Sequence, residues 1–84
     1  MSRYVIKQNE DVTIAYGFDP IPHFGGYFFQ KFDNSQISEE NPEGLVINEG
    51  FFGGLPKNKM VELMMDNGIG NQKHLTHVAL DLPI

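Results

Sequence analysis

The sequence contains no cysteine, and this absence limits how the chain can be stabilised. Without cysteine there are no disulfides and no thiolate ligands for a metal ion. Small extracellular domains usually depend on such links. We therefore expect a protein that works in the reducing cytoplasm, and the opening stretch MSRYVIKQNED is too polar for a signal peptide.

Long apolar runs and an excess of basic residues are also missing. No apolar stretch approaches the roughly 20 residues that a membrane-spanning helix needs, so we expect no membrane location. Six basic residues stand against eleven acidic ones, which gives a net charge of −5. A protein that grips nucleic acid directly needs a basic face, so we do not expect this class. An acidic surface suits docking on a basic surface of a partner protein.

The known motifs of catalysis and nucleotide binding are missing as well. The chain has no G-x-S-x-G nucleophile turn. GIGNQK at 68–73 lacks the third glycine of a dinucleotide fingerprint and follows a predicted helix instead of a strand. GGLPKNK at 53–59 lacks the spacing of a Walker loop. We therefore predict no enzyme activity, no catalytic residue and no cofactor.

What the chain does contain predicts one α+β domain over residues 1–84. Residues 2–8, 12–18 and 27–32 have strand patterns, and in the second of these Val12, Ile14, Tyr16 and Phe18 share one face. The third pattern is aromatic on both faces, which favours a central strand. A short strand at 45–48 is expected at an edge, and the polar, acidic loop at 33–44 is expected to be mobile.

The helix pattern lies at about 57–67, where Pro56 suits the first helical position. Its apolar stripe consists of Met60, Val61, Leu63 and Met64. Gly68 is expected to end the helix in the left-handed conformation, with Ile69 packed back on it. The predicted fold is a small antiparallel sheet of three to five strands with one main helix packed on one face.

The tail at 71–81 fits two patterns. Asn71 could cap a short helical turn, after which Val78, Leu80 and Leu82 alternate as in a strand. A helix through Ala79 competes, because Leu75, Val78 and Ala79 also match helical spacing. We favour the turn followed by a strand.

Two stretches pair glycines with phenylalanines, HFGGYFF at 23–29 and EGFFGGLP at 49–56. The order is partly reversed and the flanks differ, so they are not a repeat. Glycine allows the backbone to turn without a side-chain clash, and packing is the expected role of Phe28, Phe29 and Phe32. Whether Phe24, Phe51 and Phe52 point inward or outward stays open.

Seven Phe and three Tyr are more aromatic residues than so small a core needs, and aromatic side chains make good binding hot spots. We predict contact regions at 19–27, 33–44 and 49–57. The predicted partner-binding residues are Phe24, Tyr27, Glu39, Glu40, Glu43, Phe51, Phe52, Lys57 and Lys59.

These features together predict a non-catalytic interaction protein that inhibits or regulates a host complex acting on nucleic acids. In size and charge the chain resembles small acidic proteins of phages and mobile elements, including anti-CRISPR proteins; this likeness covers no motif. One alternative is a small metal-dependent enzyme or factor that uses His23, His74, His77 and Asp81. Another is a homo-oligomer that associates through edge strands or exposed aromatic residues.

Overall fold

The computed structural model describes residues 2–20, 26–50 and 54–84. These residues form a four-stranded antiparallel sheet, in the order β1–β2–β3–β4, and two α-helices. This confirms the predicted α+β class. The strands are β1 (Tyr4–Lys7), β2 (Val12–Asp19), β3 (Gly26–Asp33) and β4 (Leu45–Glu49), and the helices are α1 (Lys57–Asp66) and α2 (Gln72–Ala79).

The core lies between the helices and one face of the sheet. Successive side chains of a strand point to opposite faces, so the alternation in β2 turns Ile14 and Tyr16 toward the helices. Tyr16 pairs across the sheet with Phe29, which is fully buried in the same cluster. β3 has a neighbour on each side, so its predicted central position is confirmed, and Phe28 is buried on the opposite face.

Helix α1 buries the stripe that its sequence predicted. Met60 and Met64 are completely buried, whereas Met65, the next residue, is 66 % exposed. Pro56 lies one position earlier than predicted, at the N-cap. At the other end Gly68 adopts the left-handed conformation (φ 74°), and the N–H of Ile69 donates to the carbonyl of Met64 at 2.8 Å. The predicted helix stop is therefore confirmed.

The tail forms helix α2, so our preference for a turn followed by a strand was wrong. Val78 is completely buried, but Leu80 and Leu82 are 63 % and 44 % exposed, which a strand with one buried face would not allow. Asn71 does act as the cap, because its side-chain oxygen accepts a hydrogen bond from the N–H of His74 at 3.1 Å. The second helix buries its apolar face against α1 and the sheet.

The two glycine-rich stretches meet in space. A Cβ on Gly26 would lie only 2.9 Å from the Cα of Gly54, and both residues have positive φ, 133° and 72°. Next to this close approach, which we call the crossing of Gly26 and Gly54, the N–H of Leu55 donates to the carbonyl of Tyr27 at 2.8 Å. The glycines thus allow two connections to pass within contact distance. The neighbouring Phe24, Phe51 and Phe52 lie outside the described residues.

Within the described ranges, neither α1 nor α2 is long and apolar enough to cross a membrane.

Candidate functional site: the acidic end of the sheet

The sheet topology collects acidic residues at one of its ends. In an antiparallel meander the β1–β2 turn and the β3–β4 connection lie at the same end of the sheet. The structure joins them directly, since the N–H of Asn34 donates to the carbonyl of Asp11 at 2.9 Å. Val12 and Asp33 are the last paired residues of β2 and β3 there.

The C-terminal end of α1 reaches the same place. The Nζ of Lys31 on β3 donates to the Oδ1 of Asn67 at 3.1 Å, and the side chain of Gln8 donates to the carbonyl of Asn67. We call this region the acidic end. Its acidic residues are Glu10, Asp11, Asp33, Glu39, Glu40, Glu43 and Asp66. They outnumber the basic residues on the same segments, Lys7, Lys31 and Lys73.

The connection from β3 to β4 is shaped by its own side chains. The carboxylate of Asp33 accepts hydrogen bonds from the N–H and the hydroxyl of Ser35, at 2.9 and 2.7 Å. The hydroxyl and then the N–H of Ser35 hold the pKa of Asp33 below its ordinary value. The side chain of Asn41 bonds both the N–H and the carbonyl of Leu45, each at 3.0 Å. The mobility predicted for the loop at 33–44 stays a prediction, because hydrogen bonds do not measure motion.

The predicted contact residues fall into separate groups. Glu39, Glu40 and Glu43 are exposed at the acidic end. Lys57 and Lys59 are exposed at the start of α1, which lies toward the other end of the sheet, near Leu55 and Tyr27. The structure therefore does not bring these lysines together with the three glutamates. The Nζ of Lys59 instead lies 3.7 Å from the Oε1 of Glu62 on the same helix.

Tyr27 needs a correction, because its side chain is in the core. It is 2 % exposed, and its hydroxyl donates to the carbonyl of Leu82 at 2.7 Å. Burial, and then the negative charge of Asp81, raise the pKa of Tyr27, so its hydroxyl stays neutral and keeps this bond. A side chain held in this way offers no surface to a partner, so we remove it from the predicted contacts. Phe24, Phe51 and Phe52 are predicted contacts that lie outside the described residues.

The histidines on α2 have protein partners. His74 and His77 share a helix, which is the geometry that the metal-site alternative requires. However, the Nδ1 of His74 lies 2.6 Å from the hydroxyl of Tyr16, and that of His77 lies 3.4 Å from the carbonyl of Pro83. In the described part of the chain no group of three His, Asp or Glu side chains could hold a metal ion. His23 lies outside it.

An aromatic cluster around His74 was missed in the sequence. The ring of Tyr4 lies 4.2 Å from the imidazole and 5.5 Å from the ring of Tyr16. Burial raises the pKa of Tyr16, and Tyr4 adds to this. Burial also lowers the pKa of His74, with further contributions from Lys73 and His77. In the neutral tautomer that carries its hydrogen on Nε2, the Nδ1 of His74 accepts a hydrogen bond from the hydroxyl of Tyr16.

The described residues enclose no pocket. The candidate site is therefore a surface and not a cavity. Comparisons of the chain with known protein families, with curated proteins and with solved structures found no match.

Proposed function

We propose that this chain is a non-catalytic interaction protein whose acidic end binds a basic surface of a partner protein. The observation that carries the proposal is the charge asymmetry of the fold, since the turn at 9–11, the connection at 34–44 and the end of α1 bring most of the acidic residues to one end. Like charges at one end produce a field that attracts a surface of opposite sign. Complementary charges speed association and select the correct partner.

The arrangement of Glu39, Glu40 and Glu43 supports this role. All three are exposed, and the hydrogen bonds of Asp33 and Asn41 at the two ends of their loop fix where the loop leaves and rejoins the sheet. Fixed ends reduce the conformational entropy that a loop loses on binding. Exposed charges interact over about 8–10 Å at physiological salt, so exposed carboxylates grouped at one end of the sheet attract the same basic surface.

The partner we propose is a cytoplasmic protein of a complex that acts on nucleic acids, which this chain inhibits or regulates. Such complexes carry basic grooves that bind phosphate groups, and an acidic body can occupy those grooves. The likeness in size and charge to small acidic proteins of phages and mobile elements supports the same class of partner.

The test compares capture of proteins from an extract of the source cells by three baits. The first is the wild-type chain, and the second carries Glu40→Gln and Glu43→Gln at the acidic end. The third is a matched control with Glu49→Gln and Glu62→Gln, which removes the same charge elsewhere. We expect a partner that the wild type and the control capture equally and that the acidic-end variant captures several-fold less.

The same partner, once purified, is then titrated with each variant at increasing salt. We expect the affinity of the wild type to fall with salt more steeply than that of the acidic-end variant. The variant has fewer charges at this end for salt to screen. Equal capture by all three baits, or an affinity that salt does not change, would contradict the proposal.

Self-association is a second candidate, and exposed side chains on the sheet face opposite the helices favour it. Val5 on β1 and Val46 on β4 are 60 % and 49 % exposed, and both strands are edges of the described sheet. Unpaired edges can accept a strand from another copy. Light scattering over a concentration series decides this point, since a constant monomer mass excludes self-association.

A further inference from the structure

The contact between Tyr16 and His74 joins two parts of the chain that are 58 residues apart. Tyr16 lies in the middle of β2 and is 1 % exposed. His74 lies in the first turn of α2, two residues after the helix begins at Gln72. The 2.6 Å bond between them is therefore a direct polar link between the sheet and the start of α2.

We propose that His74 is a pH-sensitive contact: its neutral imidazole fastens α2 to the sheet through Tyr16, and its protonation weakens the docking of α2. In the neutral tautomer with its hydrogen on Nε2, Nδ1 accepts a hydrogen bond from the Tyr16 hydroxyl. A protonated Nδ1 carries its own hydrogen and can only donate. The hydroxyl of Tyr16 must then turn its proton away from the ring, at a site where it is buried from water.

The groups around His74 disfavour a positive charge on its imidazole. On its own helix, Lys73 precedes it and His77 follows one turn later, and both disfavour protonation. The N–H groups at the start of a helix carry partial positive charge, which acts in the same direction. β1 and β2 present the rings of Tyr4 and Tyr16 to the imidazole. The charged residues of α1, the neighbouring helix, are all exposed: Lys57, Lys59, Glu62 and Asp66.

One interaction acts in the opposite direction. The ring of Tyr4 lies 4.2 Å from the imidazole of His74, and an aromatic face attracts a cation. The two rings are tilted by 46°, so the imidazole does not stack flat on that face. Burial, Lys73 and His77 outweigh this attraction, and the neutral imidazole is the form that the fold prefers.

Weakening this contact has a consequence for the core. α2 contributes Val78, which is completely buried, and the chain after it supplies the carbonyl of Leu82 to Tyr27. If α2 separates from the sheet, Val78 and the ring of Tyr16 become accessible. Protonation of His74 therefore makes exposure of this part of the core more frequent.

The sign of the effect follows from linkage. A group whose pKa is lower in the folded chain than in the unfolded chain stabilises the fold above its unfolded value and loses that contribution as the pH falls. The ordinary pKa of histidine is 6.5. Stability should therefore decline as the pH falls below this value, before the carboxylates are protonated.

The first test measures urea unfolding between about pH 8 and pH 5, the range in which ordinary histidines titrate. It compares the wild type with His74→Gln and with the matched control His77→Gln on the same helix. We expect wild type and control to lose stability together as the pH falls, and His74→Gln to change clearly less. Equal slopes for the wild type and His74→Gln would overturn the proposal.

The second test needs no variant and so does not depend on the folding of His74→Gln. An NMR titration of the wild-type chain follows the His74 ring and the amides of α2. We expect the ring to titrate below the ordinary histidine value of 6.5, and the α2 amides to shift with the midpoint of His74 while those of α1 stay constant. A His74 midpoint at or above 6.5, or α2 amides that do not follow it, would overturn the proposal.

Discussion

Gly68 and Asp81 occupy equivalent positions, since each is the left-handed residue just past the end of a helix. Their φ angles are 74° and 60°. After α1 the N–H groups of Gly68 and Ile69 bond to the carbonyls of Met65 and Met64, and after α2 those of Asp81 and Leu82 bond to Val78 and His77. Both helices thus end in a Schellman motif, with the preferred glycine in one case and an aspartate in the other.

Asp81→Gly should therefore stabilise the chain. A left-handed conformation costs an L-residue about 1–2 kcal/mol, and a negative charge at the C-terminal end of a helix is unfavourable as well. Asp tolerates this conformation better than most residues, so we expect a gain of about 0.5–1 kcal/mol. The measurement is the free energy of unfolding from urea titration.

The reciprocal change Gly68→Asp is its control and should lower the free energy of unfolding by about 1 kcal/mol. A Cβ at Gly68 has room, since the nearest atom, the Nε2 of Gln8, would lie 3.7 Å away. Any loss there reports the backbone conformation and the added negative charge, and not a clash. Asp81→Asn separates charge from conformation, and a gain equal to that of Asp81→Gly would assign the whole effect to charge.

The meeting of Gly26 and Gly54 yields a second prediction. An alanine at 26 must adopt φ 133° and place its Cβ 2.9 Å from the Cα of Gly54. Backbone strain of this kind costs about 1–3 kcal/mol, so Gly26→Ala should lower the free energy of unfolding by about 2 kcal/mol or more.

Gly70→Ala is the matched control for that change. A Cβ at Gly70 has no atom within 4 Å, and its φ is not positive. We expect a change within about 0.5 kcal/mol in either direction. If both alanine variants unfold at the same urea concentration, the crossing at Gly26 does not constrain the fold.

Much of this fold could be predicted from local patterns. Alternation in β2 placed Ile14 and Tyr16 inside, and the helical stripe placed Met60 and Met64 on the buried side of α1. Both inferences need only the period of one element. The segment that forms α2 fits both periods, and its apolar residues alone do not decide between them.

The contacts that matter for α2 come from distant parts of the chain. Tyr4 and Tyr16 lie more than fifty residues before His74, so no local pattern connects them. The acidic end is a mixed case. A meander of antiparallel strands places the turn at 9–11 beside the loop at 34–44, and this follows from the sequence pattern. The position of Asp66 at the same end depends on how α1 packs across the sheet.

Adjacent methionines on α1 provide a third prediction. Met64 is completely buried and Met65 is 66 % exposed. Met64→Ala removes buried methylene groups and leaves a cavity, which costs about 2–5 kcal/mol, whereas Met65→Ala should stay within about 0.5 kcal/mol. Urea unfolding of both variants checks this, and similar losses would mean that α1 packs through a different face. If Met64→Ala does not fold, a well-folded Met65→Ala still shows the asymmetry.

The hydrogen bonds that Ser35 donates to the Asp33 carboxylate predict a loss of stability in acid. Hydrogen bonds from the hydroxyl and then the N–H of Ser35 lower the pKa of Asp33 from its ordinary value of 3.8. A carboxylate with a lowered pKa stabilises the fold above the unfolded value and loses this contribution as the pH falls through the folded value. Asp33→Ala should therefore melt below the wild type at neutral pH, and the gap should close once the wild-type carboxylate is protonated.

Asp33→Asn completes this test because it keeps an oxygen that can accept the N–H of Ser35 but has no charge. We expect its melting temperature at neutral pH to lie between those of the wild type and Asp33→Ala, since a carboxylate accepts hydrogen bonds more strongly than an amide. Measured against Asp33→Ala, its advantage should not change with pH, because neither side chain titrates. A gap between the wild type and Asp33→Ala that stays constant into acid would show that the carboxylate acts through its shape and not through its charge.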